Sequence, residues 1–585
     1  MTILFVDTET FSATDLKKAG VYAYSECPTF EILMAAWSVD GAEPDIAIGE
    51  DEIRAIPGLF DPSVTKVAHN AAFDRICFSR LGPQPIGAWI DTMAIAAEYG
   101  YPQGLDTLAK RLKVDPKDGA GARLIRMFCL PPRVFPHEQP EKWAEFISYC
   151  LQDVRTLVLV AEALGLDFPT ETEAELFRVD QIINGRGVKI DVELAQRALE
   201  AGNANAKAAA ERLKEITGLA NPNSVQQLLP WLKDAGTELP NLQAETVKDA
   251  IADPLTTTVV REVLELRQGT ALIAARKYEV ALNQASTDGR LRGQFRFYGA
   301  HTGRWAGRGV QLHNLPRATI ADPETAIQGL KAGAGADAQT LKALVRSMIV
   351  GPLVVCDYSA IEARVLAWLA GEEWVLDAFR GGRDIYVEVA GRMSTPQNQL
   401  TRFQGKVATL ALGYQGALGS LKVMGATGTD DELYALVRQW RAANPRIVQF
   451  WKRIETGWDE GARALRIDFD KRGSVTRLIL PSGRALVYRW VKDRAFSDTH
   501  GNRIETYGGR LTENVTQAVA RDILADALIN LTREGYPVVG HVHDEVLVET
   551  TDLAAVQEIM CRPPAWAETL PLAAEGFVCD RYRKG

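Results

Sequence analysis

Short apolar runs that stop on acidic residues recur along the chain, and they set the reading of its elements. ILFV at 3–6 passes directly into Asp7 and Glu9, EILMAAWSV spans 31–39, and KVAHNAAFD spans 66–74. Runs of this length, alternating with helical periods, predict an α/β unit over the first ~165 residues. LGLDFPTETE (164–173) marks its end, which places a first domain at 1–168. Residues 170–285 read as mainly helical, because LAQRALEAGNANAKAAAERLKEI (194–216) is alanine-rich and broken by glycine only at Gly202. The Gly/Ala-rich segment 318–340 predicts a surface excursion. A strand at LVVCD (353–357), helices as far as 460 and a hairpin at VVGHVHDEVLVET (538–550) follow. There is no internal repeat and no low-complexity tail.

Composition narrows the class without naming a chemistry. The 585 residues are 46% hydrophobic and 24% charged, ordinary for a globular protein with several cores. No apolar stretch approaches the length of a membrane span, and the N-terminus lacks the features of a secretory signal. Seven scattered cysteines without a CxxC pair point to reduced thiols in a cytoplasm rather than to zinc or disulfides. The net charge of −9 argues weakly against a general nucleic-acid coat, but binding depends on where the basic residues lie. RLRGQFRFYGAHTGRWAGRGVQLHNLPR (290–317) holds six arginines, two histidines, four aromatics and no acid. A solvated basic loop is the plain reading of it; the interleaved rings and glycines also suit close approach to a phosphate backbone.

Asp7 and Glu9 lie one residue apart on a strand and therefore share a face. Asp74 follows the polar pair His69-Asn70. In KWAEFISYCLQDVRTL (142–157), Phe146, Ile147, Cys150, Leu151 and Val154 form a helical apolar face, with Tyr149 and Asp153 at i and i+4 on its flank. Each piece alone has a dull explanation as a strand end or a helix surface. Together, four acids and a tyrosine form a hard oxygen set suited to Mg²⁺ or Mn²⁺. The ordered set resembles the DEDDy class of 3′→5′ exonucleases, which have a ribonuclease H-like fold. The resemblance implies that Asp7, Glu9, Asp74 and Asp153 hold two metal ions and that Tyr149 orients the attacking water.

A second set begins at GPLVVCDYSAIEAR (351–364), where an apolar run ends on Asp357 and Glu362 follows. Ile361, Val365 and Trp368 keep helical spacing after it. The hairpin carries His543, Asp544 and Glu545 at its turn. Between them, in TPQNQLTRFQGKVATLALGYQG (395–416), Pro396 suits a first helical turn, and Arg402, Lys406, Leu410 and Tyr414 recur every four residues. A charged helical stripe is usually solvated; an arginine and a lysine one turn apart can instead grip a triphosphate.

These three stretches resemble motifs A, B and C of the family A DNA polymerases. HTGR (301–304), QLHNLP (311–316), NPNSVQQL (221–228) and RLTENVTQAVARD (510–522) fit in the same order. The likeness covers nearly the whole chain. It implies a multidomain α/β and α+β protein: the exonuclease domain at 1–168, then a right-hand polymerase domain at 169–585. Within the latter, 170–290 is mainly thumb, 291–370 and 460–585 mainly palm, and 371–459 mainly fingers.

The resemblance also distributes roles. Asp357 and Asp544, with Tyr358, would hold two Mg²⁺ ions, Mn²⁺ being able to substitute. Arg402 and Lys406 would contact the nucleotide phosphates, with Lys406 a proton donor to pyrophosphate. Glu362 would block a ribose 2′-hydroxyl, Tyr414 would pack beside it, and Leu410 and Tyr358 would border the nucleotide. His543 and Glu545 would support the primer end. Arg304 and Gln517 would read minor-groove acceptors, Arg510 and Asn514 would hold the template, and Asn314 and Asn70 would touch DNA. The implied partners are primer–template DNA, deoxynucleoside triphosphates and a single-stranded 3′ end, met by a monomer in a bacterial host cytoplasm. No membrane is involved, and no processivity factor is specified.

Four departures stand out. Leu410 occupies a position where relatives commonly have Phe or Tyr, and His541 and Ala360 each replace a common glutamine. The stretch after Asn514 is one residue shorter than in bacterial relatives. The start at ILFVDTET leaves no room for a preceding 5′-nuclease domain, and the motif dialect is that of a phage or prophage replicase. An exonuclease with a C-terminal DNA clamp, or a scaffold with relic sites, are the rival readings; the intact Arg402, Lys406, Glu362 and Asp544 weigh against the first, and the second is disfavoured because decayed sites normally lose metal ligands first.

Overall fold

Leu4 and Val6 are buried on one side of the first strand and Phe5 on the other, which explains why its sequence runs apolar without alternation. This strand, β1 (Ile3–Phe11), lies in the middle of a five-stranded sheet with β2 (Glu31–Val39), β3 (Asp45–Ile48), β4 (Thr65–Ala68) and β5 (Trp89–Asp91). The order is β3-β2-β1-β4-β5, antiparallel at β1–β2 and β2–β3 and parallel at β1–β4 and β4–β5. On the Phe5 side the sheet is covered by the helix Pro140–Leu164 through Phe146, Cys150 and Val154. On the other side Ala71, Cys77 and Phe78 of the helix Ala71–Phe78 cover it. The computed structural model describes every residue except Met1, 116–120, 269, 396–398, 500 and 584–585.

Gly165, at φ 79°, ends the Pro140–Leu164 helix, and the Thr170 hydroxyl caps the next, Glu171–Arg186, by accepting from the Glu173 N–H. The helix Val192–Thr217 then runs unbroken and packs on Thr270–Gln284. The segment 318–340 lies mostly at the surface, as expected, but it is helical and anchored in the core rather than loop. It contributes the helices Pro323–Lys331 and Ala338–Leu344, which bury Ile327, Leu330 and Leu341 against the same core.

The second large sheet is antiparallel, with strand order Val538–Val542, Glu545–Val548, Val350–Tyr358, Ala574–Arg581. Behind it lies the helix Gly508–Arg533, whose run from Val515 to Leu531 is mostly buried, and against that packs Ile361–Ala370. The expected hairpin is present, with His543 in the left-handed region (φ 59°) at its turn. Among the described residues no helix is long and apolar enough to cross a membrane.

Candidate active sites

Because Asp7 and Glu9 share the Phe5 face of β1, they point toward the helix that carries Asp153. The ligand oxygens of Asp7, Glu9 and Asp153 lie within 4.8 Å of one another, with Glu9 and Asp153 buried. Three carboxylates at that spacing, two of them withdrawn from water, repel one another unless a cation joins them; an all-oxygen set of this kind fits a hard divalent ion. Asp74, the fourth expected ligand, is not one of these three; it accepts from the Thr8 N–H at 3.1 Å and the Thr8 hydroxyl at 2.8 Å, on the residue of β1 between Asp7 and Glu9. Burial pushes its carboxyl up to about 7, against the pull of the Thr8 hydrogen bonds. Tyr149 stacks on Phe146, and a Cβ on Gly121 would fall 2.2 Å from its ring. Gly121 and Thr8 thus shape this site, and neither belongs to the acidic pattern that the sequence displays.

Neighbouring residues brace the same corner. Asn70, at φ 68°, heads the Ala71–Phe78 helix, and its N–H donates to Asp91 at 2.9 Å. The His69 ring lies 3.0 Å from the Thr92 hydroxyl and 2.8 Å from the Gln103 carbonyl. Asn70 is therefore held by its main chain.

The second pair of acids meets through strand register. Asp357 stands opposite Glu545, and the Tyr358 N–H donates to the Asp544 carbonyl at 3.3 Å, so two stretches far apart in sequence end side by side. Glu545 is buried and accepts from the Tyr582 hydroxyl at 2.6 Å, which places it under the turn as a support. The Tyr358 hydroxyl donates to the Met560 carbonyl at 2.8 Å, so this residue can offer only its main chain to a ligand. His543 is exposed, its ring 5.3 Å from that of His313. His541 is buried and stacked on Phe295 at 4.3 Å; burial holds its ring far below the ordinary histidine value, as a neutral aromatic.

The motif-B helix begins at Arg402, with Thr401 and Gln404 forming a reciprocal cap; Pro396 lies outside the described residues. Arg402 and Lys406 are exposed in the first turns, where the helix dipole already favours anions. Arg402 pairs with Asp384 at 2.7 Å, and Lys406 lies 6.0 Å from the centre of the Tyr386 ring. Gly405, between them, lets the helix touch its neighbour Ile385–Met393: a Cβ there would sit 2.0 Å from the Tyr386 carbonyl oxygen. Leu410 is half exposed and, with Glu362 and Tyr414, lines a cavity of 60 Å³. Glu362 takes the Tyr414 hydroxyl on one oxygen at 2.9 Å and Arg304 on the other at 2.7 Å. Burial, and then Glu362, push the Tyr414 hydroxyl up.

The helix Gly508–Arg533 runs continuously through Asn514 and Gln517. Gln517 falls one turn from Glu513 and donates to it at 3.2 Å, whereas Asn514 turns to the Tyr488 hydroxyl at 2.9 Å. Glu513 is the residue the motif comparison overlooks: it is half buried beside Glu362, Arg304 and Arg510, and burial followed by Glu362 pushes its carboxyl up. Its position four residues before Gln517 was the available signal. Arg510 donates to the Glu505 carbonyl and reaches over the Tyr507 ring. Asn314 is exposed, donating to Gln311 at 3.2 Å.

Known proteins carry the same two units. Residues 2–167 match the 3′–5′ exonuclease family and residues 192–455 match DNA polymerase family A. The chain is 39% identical to the DNA polymerase of Bacillus phage SP02, over 100% of each chain. DNA polymerase I of Chloroflexus aurantiacus is 27% identical over 60% of this chain and 38% of its own length. The thermostable DNA polymerase I of Thermus aquaticus is 26% identical over 65% and 43%. Among solved structures, the POL domain of Pol1 from M. smegmatis, in complex with DNA primer-template and dNTP, superimposes with a TM-score of 0.67 at 17% identity, covering 99% of this chain and 95% of that one. This chain belongs to DNA polymerase family A and carries a 3′–5′ exonuclease domain ahead of the polymerase domain. It is a DNA-directed DNA polymerase.

Proposed function

We propose that the chain extends a primer 3′ end at Asp357 and Asp544 and trims it at Asp7, Glu9, Asp74 and Asp153, as the replicative polymerase of a phage or prophage. The observation that carries this reading is the meeting of two remote acidic stretches at one strand end, beside a separate carboxylate triad on another sheet. Mg²⁺ ions, two at each centre and replaceable by Mn²⁺, supply Lewis acidity toward phosphate oxygens when bound. Identity to a phage DNA polymerase along the full length supports the replicative role in a bacterial host cytoplasm.

The protein's own groups do the rest. Arg402 and Lys406 bind the triphosphate at the head of their helix, and Lys406 holds the proton destined for pyrophosphate. Glu362, fixed by Tyr414 and Arg304, fills the space a ribose 2′-hydroxyl needs, so deoxynucleotides are preferred. Leu410 and Tyr414 flank the nascent pair, and the main chain of Tyr358 borders the nucleotide. Arg304 and Gln517 contact minor-groove acceptors common to every correct pair, a check on geometry rather than sequence. Arg510, Asn514 and Asn314 hold the duplex, His543 meets the primer end, and Glu545 steadies the turn. At the other centre Tyr149 orients water and Asn70 touches the single-stranded 3′ end. The assignments correspond to an exonuclease domain at 1–168 and a polymerase domain with thumb, palm and fingers, acting as a monomer.

Primer extension with matched and mismatched 3′ ends, with and without dNTPs, tests the scheme. Asp357→Ala is expected to abolish synthesis and keep excision, and Asp7→Ala to do the reverse. Equal loss of both activities from either change contradicts two separate centres.

A further inference from the structure

The loop that carries Arg304 is irregular, and its shape is set by two arginines from elsewhere. Arg484 Nη2 donates to the Thr302 carbonyl at 3.0 Å, and Arg521 Nε donates to the next carbonyl, that of Gly303, at 2.9 Å. Within the loop, the Gly303 N–H donates to the Ala300 carbonyl and the Ala300 N–H to the Arg304 carbonyl. Gly303 is at φ +87°, and a Cβ there would fall 2.6 Å from Arg484 Nη1. The guanidinium groups therefore press directly on the turn that aims Arg304.

Both arginines are themselves fixed from several sides. Arg521 takes both Glu173 oxygens and reaches Asp522 at 3.3 Å; Arg484 takes Asp522 at 2.8 Å, the Tyr298 hydroxyl at 2.9 Å and the Ala518 carbonyl at 3.2 Å. Their side chains are almost fully buried, 1% and 3% exposed. The Arg521 guanidinium also lies 5.0 Å from the centre of the Trp305 ring. Glu98, at the end of the exonuclease-domain helix Thr92–Glu98, completes the cluster: it is buried, and both its oxygens lack a hydrogen-bond partner among the described residues. Buried ion pairs are poor sources of stability, since desolvation offsets most of their attraction, so their value lies in fixed direction. Here that direction is spent on two consecutive main-chain oxygens of a DNA-facing loop.

We propose that Arg484 and Arg521 are positioning residues for recognition of the primer terminus, clamping the carbonyls of Thr302 and Gly303 so that Arg304 enters the DNA site at one angle. This rests on the reading of Arg304 as a minor-groove contact. Lysine at 521 keeps the charge but carries its donors on a single nitrogen, which cannot reproduce the spread of Nη1 and Nη2 on Glu173 and Nε on the Gly303 carbonyl. Gly303→Ala disturbs the same clamp from the loop side.

The test uses the full chain carrying Arg304→Ala, Arg521→Lys, Gly303→Ala, or Arg304→Ala with Arg521→Lys. It measures KM for primer–template, the matched-over-mismatched extension ratio, and trimming of a single-stranded oligonucleotide. Arg521→Lys and Gly303→Ala are each expected to raise KM and lower the ratio on the order of tenfold, with trimming unchanged. The double variant is expected to be no worse than Arg304→Ala alone, because the clamp acts through that side chain. A double variant whose loss is the product of the two single losses overturns the proposal. So does a wild-type ratio in both Arg521→Lys and Gly303→Ala, or joint loss of trimming and extension in both. Arg304→Ala without effect removes the minor-groove reading itself, and the proposal with it, a result separable from the others because it appears in the single variant.

Discussion

Glu98 shows how far a single side chain can depart from its ordinary behaviour. Burial first, and then the nearby Glu173, raise its carboxyl well above the usual 4.5, while Arg521 and Arg484 pull it down; Asp522 adds to the upward push. The folded chain thus keeps a proton on Glu98 at pH values where the unfolded chain has lost it. Stability from this group falls as pH rises from about 4.5 toward the folded value. Glu98→Gln, which mimics the protonated form permanently, is expected to raise the unfolding temperature at pH 8 by a few degrees. The gain should shrink toward zero below pH 4.5, and thermal unfolding across that range reads it. A destabilised Glu98→Gln at pH 8 would mean that the carboxylate is ionised there and needed. Other single residues were legible early: Asp7, Glu9, Asp357 and Asp544 interrupt apolar runs, and an acid next to a buried strand demands a reason. Glu513 was legible only as one turn from Gln517; that it lies near Glu362 emerges from the folded helix.

At the level of elements, the approach of the helices Arg402–Leu412 and Ile385–Met393 depends on a missing side chain. Gly405 lies between Arg402 and Lys406, and its Cα faces the carbonyl of Tyr386. Gly405→Ala would force the Arg402–Leu412 helix away from Ile385–Met393 and shift together the two residues proposed to bind the triphosphate. Overpacking of this kind costs about 1–3 kcal/mol. The expected result is a rise in KM for dNTPs on the order of tenfold, with single-strand excision unchanged; steady-state extension at varied dNTP checks it. An unchanged KM would show that the helix tolerates the displacement. Element types were readable from periodicity at the two acidic strands, at Pro140–Leu164 and at Val192–Thr217. The segment 318–340 was not, because its glycine and alanine content resembles loop while Ile327 and Leu330, three apart, anchor a helix in the core.

Across the whole molecule, the two carboxylate centres sit on different sheets, each under its own helix. In the proposed scheme excision depends on β1 and the helix Pro140–Leu164, and synthesis on the strand Val350–Tyr358 and the hairpin turn. Motif order conveyed this division, since each set of acids is complete in itself. The contacts that join the halves were invisible beforehand: Glu98, Glu173, Arg484 and Arg521 come from four separate elements, and nothing in local spacing pairs them. The central claim is that each acidic cluster gathers its own pair of divalent ions. Anomalous diffraction from crystals soaked in Mn²⁺ with primed DNA and a nucleotide measures this directly. Peaks beside Asp357 and Asp544, and beside Asp7, Glu9 and Asp153, are the predicted result. Crystals that hold DNA and nucleotide yet show no peak at either cluster would contradict it.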